Sequence, residues 1–428
     1  MCAKSNKEGL LMKLKKVTAL FLVSAMVIGS LAGCTKDTTT ASDDAAATEA
    51  PADDAAADDA AADDAEATDD AAADDAAAED TSSDAAATDI ANFKIDPSQI
   101  PQEKLDTTLY VACSIRGLEN PYIATIADGM DMFCEYLDSI GQKYESQVLD
   151  SGGSNDVEID NMRQFAAKAE GNAIAYADPN ESAIAPSLAE AMASSGGYIG
   201  TAWNKPDDVE PADYDPNWVI HTSADNVANA KATATALFES MGGSGKIFVV
   251  EGLLGNTANN ERVEGLEQAL AEYPDIEVAH QDTGNWNTDE ALTLVETWLN
   301  DTPDVGGIWC ANDNMATGVL QALDAKGLKG EVGVTGCDAN TDIIEGIQDG
   351  SVTATVSSNG YLQGGYTLAI CYAAWTGLID PTTLPDEYRN FKTPAIIVTA
   401  DNVEEYVAEY VDNIPEYDFS DIWFCKAD

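Results

Sequence analysis

Histidine is nearly missing: His221 and His280 are the only two in 428 residues. Neither stands near a serine or cysteine in a nucleophile motif, so a Ser–His or Cys–His catalytic apparatus has nothing to be built from. Bases are scarce too, with 21 Lys and Arg against 76 Asp and Glu and a formal net charge of −55. No basic patch with interleaved aromatics occurs, and so acidic a surface argues against nucleic acid or an anionic bilayer as partner. No two cysteines have C-x-x-C spacing, which disfavours zinc, and neither a metal nor another cofactor is implied. Gly243-Ser244-Gly245-Lys246 falls short of a phosphate loop, because Ser240 stands where the first glycine belongs and Ile247 where Ser or Thr should follow the lysine. Carboxylate pairs abound and leave a two-carboxylate glycosidase open, but in so acidic a chain they carry little information.

Long apolar runs are also absent, apart from one at 17–28. It is too short to span a bilayer, which needs about 20 residues. Lys13, Lys15 and Lys16 precede it and Leu31-Ala32-Gly33-Cys34 follows. A basic region, an apolar stretch and small residues before a cut site make residues 1–33 a secretory signal, opened by Met1 or by Met12. The cysteine after the small residues resembles the bacterial lipobox, in which that cysteine is acylated and becomes the new N-terminus. Two acyl chains on Cys34 anchor stably where one does not. Residues 34–90 contain almost no large apolar side chain, and nineteen acids but no base lie between Asp37 and Asp89. Burial cannot offset chain entropy there, so the segment reads as a disordered tether, with an r.m.s. reach of roughly 40 Å.

The rest of the chain is long enough for two domains. Its six cysteines are Cys113, Cys134, Cys310, Cys337, Cys371 and Cys425. An extracytoplasmic setting permits disulfides, but a domain of this size does not need them, and several of the six sit in apolar runs as buried thiols do. Strand-like runs cover 108–114, 144–149, 173–177, 198–203, 218–221, 246–251, 277–281, 307–311, 332–336, 353–357 and 395–398. Between them lie segments of helical period, at 122–140, 156–170, 224–241, 258–273, 289–299, 315–325 and 360–375. Alternating strands and helices predict an α/β protein with parallel sheets covered on both faces. Eleven strands exceed one comfortable open sheet. Two doubly wound lobes are the natural division, with a (β/α)8 barrel as the alternative.

Ligands of doubly wound sheets bind outside the carboxyl ends of the strands. The residues found there are Ser114 followed by Asn120-Pro121-Tyr122; Asp150; Asp178; Trp203-Asn204; Glu251; Ala311-Asn312-Asp313; Gly336-Cys337-Asp338; and Ser357-Ser358-Asn359, with Trp286 and Asn287 after the 277–281 run. This set is rich in Asn, Asp, Ser and Trp. Asn and Asp give sugar hydroxyls paired acceptors and donors, and aromatic plates cover the C–H face of a sugar ring. Asn, Asp and Ser also cap helices, and each Trp has core packing as its structural alternative.

At these exits the chain resembles the periplasmic ribose- and galactose-binding proteins, the pentose/hexose family of ABC-transporter substrate-binding proteins. The likeness runs from about 105 to 400. It rests on Asn-Pro-Tyr at 120–122, Asp-Asn-Val at 225–227, Glu-Gly at 251–252, Asn-Glu-Arg-Val-Glu-Gly at 260–265, Trp286 in Gly-Asn-Trp-Asn, Ala-Asn-Asp-Asn-Met-Ala at 311–316 and Gly-Cys-Asp-Ala at 336–339. The resemblance implies that Tyr122 and Trp286 stack on the two sides of a ring. It implies that Asn204, Arg262, Asn312 and Asp338 hold hydroxyls and ring oxygen, and that Ser358 or Asn359 makes a last contact near the hinge. Asn260 stands where the ribose branch has an extra arginine, and Asn256 and Ala258 where the galactose branch has His and Asp. The candidate ligand set is therefore Ser114, Asn120, Tyr122, Trp203, Asn204, Asn256, Asn260, Arg262, Trp286, Asn312, Asp338 and Ser358. No loop matches the calcium site of the galactose branch.

The resemblance further implies a type I fold of two lobes, 105–223 plus 360–390 and 224–359 plus 391–428. Three crossovers join them, near 222–225, 358–360 and 390–392. The expected function is non-enzymatic: a lipid-anchored extracytoplasmic monomer that closes on a monosaccharide (pentose, hexose or deoxy sugar) and delivers it to an ABC permease. Presentation of a sugar or furanosyl signal to a chemoreceptor or histidine kinase is the alternative.

Overall fold

The computed structural model describes residues 90–427. The signal, Cys34 and the tether as far as residue 89 lie outside the described residues. The apolar runs pair into two six-stranded sheets. The first contains β1 Leu109–Ile115, β2 Tyr144–Asp150, β3 Ala173–Ala177, β4 Tyr198–Ala202, β5 Trp218–Ser223 and β11 Asn390–Lys392. Its order is β11-β5-β4-β3-β1-β2 and every neighbouring pair is parallel. The second contains β6 Gly245–Glu251, β7 Ile276–Thr283, β8 Gly307–Cys310, β9 Gly333–Thr335, β10 Ala354–Ser357 and β12 Ile396–Thr399. Its order is β12-β10-β9-β8-β6-β7, parallel except for the antiparallel β10–β12 pair. Both are doubly wound, so each has a switch point beside its first strand, β1 or β6. β3 is buried at all five positions, as a strand covered on both faces must be.

The helices on these faces are α1 Gln102–Asp106, α2 Pro121–Ile140, α3 Asn155–Ala169, α4 Ala185–Ala193, α5 Asn226–Ser240, α6 Thr257–Glu272, α7 Thr288–Asp301, α8 Asp313–Lys326, α9 Thr341–Asp349, α10 Gly360–Thr376 and α11 Val403–Tyr406. Side-chain caps start several of them: Asn120 on α2, Ser154 on α3, Asp225 on α5, Asn287 on α7, Asn312 on α8 and Asn359 on α10. α10 is apolar nearly all round, and all but one of its residues is buried. It packs closely on α2 because Gly364 and Gly129 leave room. A Cβ on Gly364 would strike the Ile126 carbonyl, and one on Gly129 the Tyr361 carbonyl.

The chain changes lobes after β5, again at Ser358–Asn359, and again between β11 and β12. The third crossing is therefore at 393–395 rather than 390–392, because β11 still pairs with β5. A fourth passage corrects the expected second lobe of 391–428. After α11 the chain returns, and Phe419, Ile422, Trp423 and Cys425 are buried in the core of the first lobe. The physical reason is an aromatic surface left by α2 and α10: Phe419 packs edge-on against Phe133 at 5.8 Å and lies 4.9 Å from Tyr366. Ala427 N–H donates to the Lys392 carbonyl at 2.8 Å, and Ile95 N–H to that of Ser420 at 2.8 Å. Residues before 105 join this lobe as well, through buried Ile95 and Ile100. All six downstream cysteines are free and buried.

Candidate functional site

The two switch points face each other across a cleft. Eight of the twelve candidate residues line it: Asn120, Tyr122, Trp203, Asn204, Arg262, Trp286, Asn312 and Asp338. Three of these eight have left-handed backbones, Trp203 (φ 65°), Trp286 (φ 61°) and Asp338 (φ 133°). Such conformations are strained for side-chain-bearing residues and persist where surrounding structure holds them. Gly252 explains the Glu-Gly pair at the exit of β6, since a Cβ there would run into the Trp286 indole.

Arg262, on α6, is the centre of the polar lining. Its Nε donates to Asn226 Oδ1 at 3.1 Å and one terminal nitrogen to the Ala311 carbonyl at 2.7 Å. Its guanidinium lies 5.3 Å from the Trp203 ring and 5.5 Å from the Trp286 ring, within cation–π reach of both. Tyr122 meets Trp203 edge-on at 6.0 Å, and its hydroxyl contacts Gln363 Oε1 at 3.0 Å. Asn312 combines both roles open to it, capping α8 through Met315 N–H at 3.1 Å and approaching Asp338 Oδ2 at 3.4 Å. Asn204 Nδ2 donates to Asp178 Oδ1 at 3.3 Å.

Arg116 and Asp178 also line the cleft and were not among the candidates. Asp178 carries the strand-exit signal, standing directly after β3, and Arg116 stands directly after β1. Burial pushes the Asp178 carboxyl up to about 6, opposed by Arg116, Asn204 and Arg262. Burial likewise raises Asp338, against Arg262 and Asn312. Two arginines face two carboxylates, so the lining has no large net charge.

Four candidates lie elsewhere. Ser114 is fully buried in β1 and donates to Glu158 Oε1 at 3.2 Å, because it precedes the strand end and its side chain faces the sheet layer. Asn260 is exposed: two residues before Arg262, it sits about 200° around the same helix. Ser358 is buried at the second crossing, away from the cleft lining. Asn256 lies behind the cleft as a bridge. Its Nδ2 donates to the Asn180 carbonyl of the other lobe at 2.9 Å, and its Oδ1 accepts from Trp286 Nε1 at 2.9 Å. Neighbouring bonds make the start of α6 the main contact across the cleft: Thr257 N–H to Ser182 Oγ at 2.9 Å, Thr257 Oγ1 to the Lys205 carbonyl at 2.6 Å and Ala258 N–H to Asn204 Oδ1 at 3.4 Å. The lobes are closed on one another.

Behind the cleft, Glu158 accepts from Asn180 N–H at 2.9 Å and is pushed up to about 8 by burial. His221 is driven down to about 3 by burial and contacts Thr201 Oγ1 at 2.8 Å, a neutral core residue.

The sequence profile of a family described as a periplasmic binding protein domain matches residues 111–378. The chain is 32% identical over 197 residues to the xylitol-binding protein of Mycolicibacterium smegmatis, covering 46% of this chain and only 54% of that protein. It is 27% identical over 267 residues to the ribose import binding protein RbsB of Haemophilus influenzae, covering 59% of this chain and 81% of that one. Among solved structures, a twin-arginine translocation pathway signal protein from Burkholderia phytofirmans has a TM-score of 0.71 and 35% identity, over 75% of this chain and 98% of its own. An ABC transporter periplasmic solute-binding protein from Actinobacillus succinogenes with bound D-allose has a TM-score of 0.61 at 23% identity, over 70% of this chain and all of its own, and shares the fold.

Proposed function

The chain belongs to the periplasmic binding protein family, and from that premise we propose that it captures one neutral monosaccharide or the corresponding polyol and hands it to an ABC importer. It is an extracytoplasmic solute-binding protein rather than an enzyme. The observation that carries the sugar reading is the cleft itself: Tyr122, Trp203 and Trp286 offer ring faces, and Arg116, Asp178, Asn204, Arg262, Asn312 and Asp338 offer balanced donors and acceptors. An uncharged, polyhydroxylated ring fits that balance. A ligand missing one hydroxyl leaves buried polar groups unpaired and is rejected. Xylitol, ribose and allose, which the relatives above bind by name, set the starting panel.

Closure is the signal passed on. The bonds at the start of α6 exist only when the lobes meet, so a ligand touching both lobes shifts the population toward the closed form. Acylated Cys34 and the acidic tether hold the closing pair at the membrane as a monomer. Calorimetric titration of the folded protein with aldopentoses, hexoses, deoxy sugars and pentitols tests the sugar reading. Saturable one-to-one binding of one panel member supports it; no heat from any of them defeats it. Mass spectrometry of the membrane-bound protein tests the anchor, with a diacylglyceryl mass on Cys34 expected and its absence contrary.

A further inference from the structure

A second chamber adjoins the cleft. Tyr122 of the first lobe and Asp338 of the second line both spaces. The shared wall thus comes from opposite lobes. It is a seam of the closed state and parts when the lobes separate, so one ligand can be laid across both spaces before closure. The far side of the chamber is built by the returning C-terminal segment, with Ile414, Pro415 and Tyr417 in its wall. Asn359 Nδ2, at the second crossing, fixes Tyr417 by donating to its hydroxyl at 2.7 Å.

The chemistry of this chamber is narrow. Tyr361, Tyr406 and Tyr410 supply aromatic surface, the last two stacked at 5.2 Å with 25° between planes. Among the described residues neither lysine nor arginine lines it, and Asp338 is its one charged residue. A phosphate or carboxylate would find no cation there. Asn340 lines the chamber and is buried, yet among the described residues its amide nitrogen has no partner; nor has the buried hydroxyl of Ser358, which lies in sequence between the wall residues Ser357 and Asn359. Buried donors without partners are costly unless a hydroxyl or water meets them. Aromatic faces with neutral donors suit a second sugar ring or an aromatic aglycone.

We infer that this chamber is a subsite for a neutral, ring-bearing substituent, so that the preferred ligand is a glycoside or disaccharide of the captured sugar rather than the free sugar alone. The inference rests on the sugar reading of the cleft. Its test takes the sugar that binds best in the panel and titrates the full chain with the free sugar, its methyl glycosides, its p-nitrophenyl glycosides and a disaccharide containing it. A ring-bearing form should bind at least about tenfold tighter than the free sugar. Tyr361→Ala and Tyr410→Ala should each cut that advantage to less than about threefold while free-sugar affinity, itself the control for folding, stays within about twofold. Equal or weaker binding of every glycoside with the free sugar bound, or an advantage untouched by both variants, overturns the subsite and leaves the cleft reading standing. Binding of neither free sugars nor glycosides overturns both.

Discussion

Asn256→Ala separates a ligand contact from a bridge. In the closed form Asn256 makes two hydrogen bonds and is fully buried. The bond to the Asn180 carbonyl crosses the cleft and is lost whenever the lobes open. Its removal weakens closure by about 1 kcal/mol, the net value of one such bond. The bond to Trp286 Nε1 lies within one lobe and survives opening. Losing it frees an indole in a strained left-handed backbone, which adds up to about 1 kcal/mol through an unpartnered N–H. Together these predict a loss of sugar affinity of about 1–2 kcal/mol, roughly five- to thirtyfold. A bridge and a ligand contact differ in their dependence on the sugar. Asn256 touches no hydroxyl, so the loss should be the same for every sugar and deoxy sugar that binds. Calorimetry on parent and variant reads this directly. Parent-like affinity, or a loss that vanishes with one particular deoxy sugar, refutes the bridge.

Trp286→Ala should weaken sugar binding by about 2–3 kcal/mol, roughly thirty- to a hundred-and-fiftyfold, because it removes an aromatic plate; titration of the variant checks it. Affinity should hold above about pH 7 and fall below it. Sugar hydroxyls donate to ionised Asp178 and Asp338, whose carboxyls burial between the closed lobes raises to about 6 and about 7, so binding lowers those pKa values and protonation opposes binding, by at most about tenfold per pH unit for each proton; affinity that stays flat from pH 7.5 to 5 contradicts this. Glu158 has the opposite consequence for stability. Its folded pKa of about 8 lies above the ordinary glutamate value of 4.5, so its contribution is fully present below about 4.5 and is lost as pH rises through 8. Glu158→Gln should therefore flatten the fall in melting temperature between those limits relative to parent. Parallel melting profiles count against it.

Most of the fold was legible because period and position agree. The apolar runs at 173–177 and 246–251 match β3 and β6 almost residue for residue, and each is followed by a helix. The short pieces were not legible. Asn390–Lys392 is a strand only because β5 pairs with it, and Ala185–Ala193 is too short and too uniformly apolar to show a period. The same contrast holds in the site. Trp203, Trp286 and Asp338 stand at strand exits and carry chemistry that a cap does not need. Asn260 follows the motif in sequence but turns outward by helix geometry. Asn256 was found for the wrong reason, since its amide serves the tryptophan and the opposite lobe. The C-terminal return left no periodic signal: Phe419, Ile422 and Trp423 are scattered aromatics and aliphatics until α2 and α10 offer them a surface.

The central claim is that a neutral sugar ring lies between the lobes, against the two strained tryptophans. A crystal structure of the full chain with the tightest sugar of the panel tests it most directly. The ring should lie among Tyr122, Trp203 and Trp286, with its hydroxyls on Asp178, Arg262, Asn312 and Asp338. Sugar density anywhere else, or an empty cleft at saturating sugar, contradicts it.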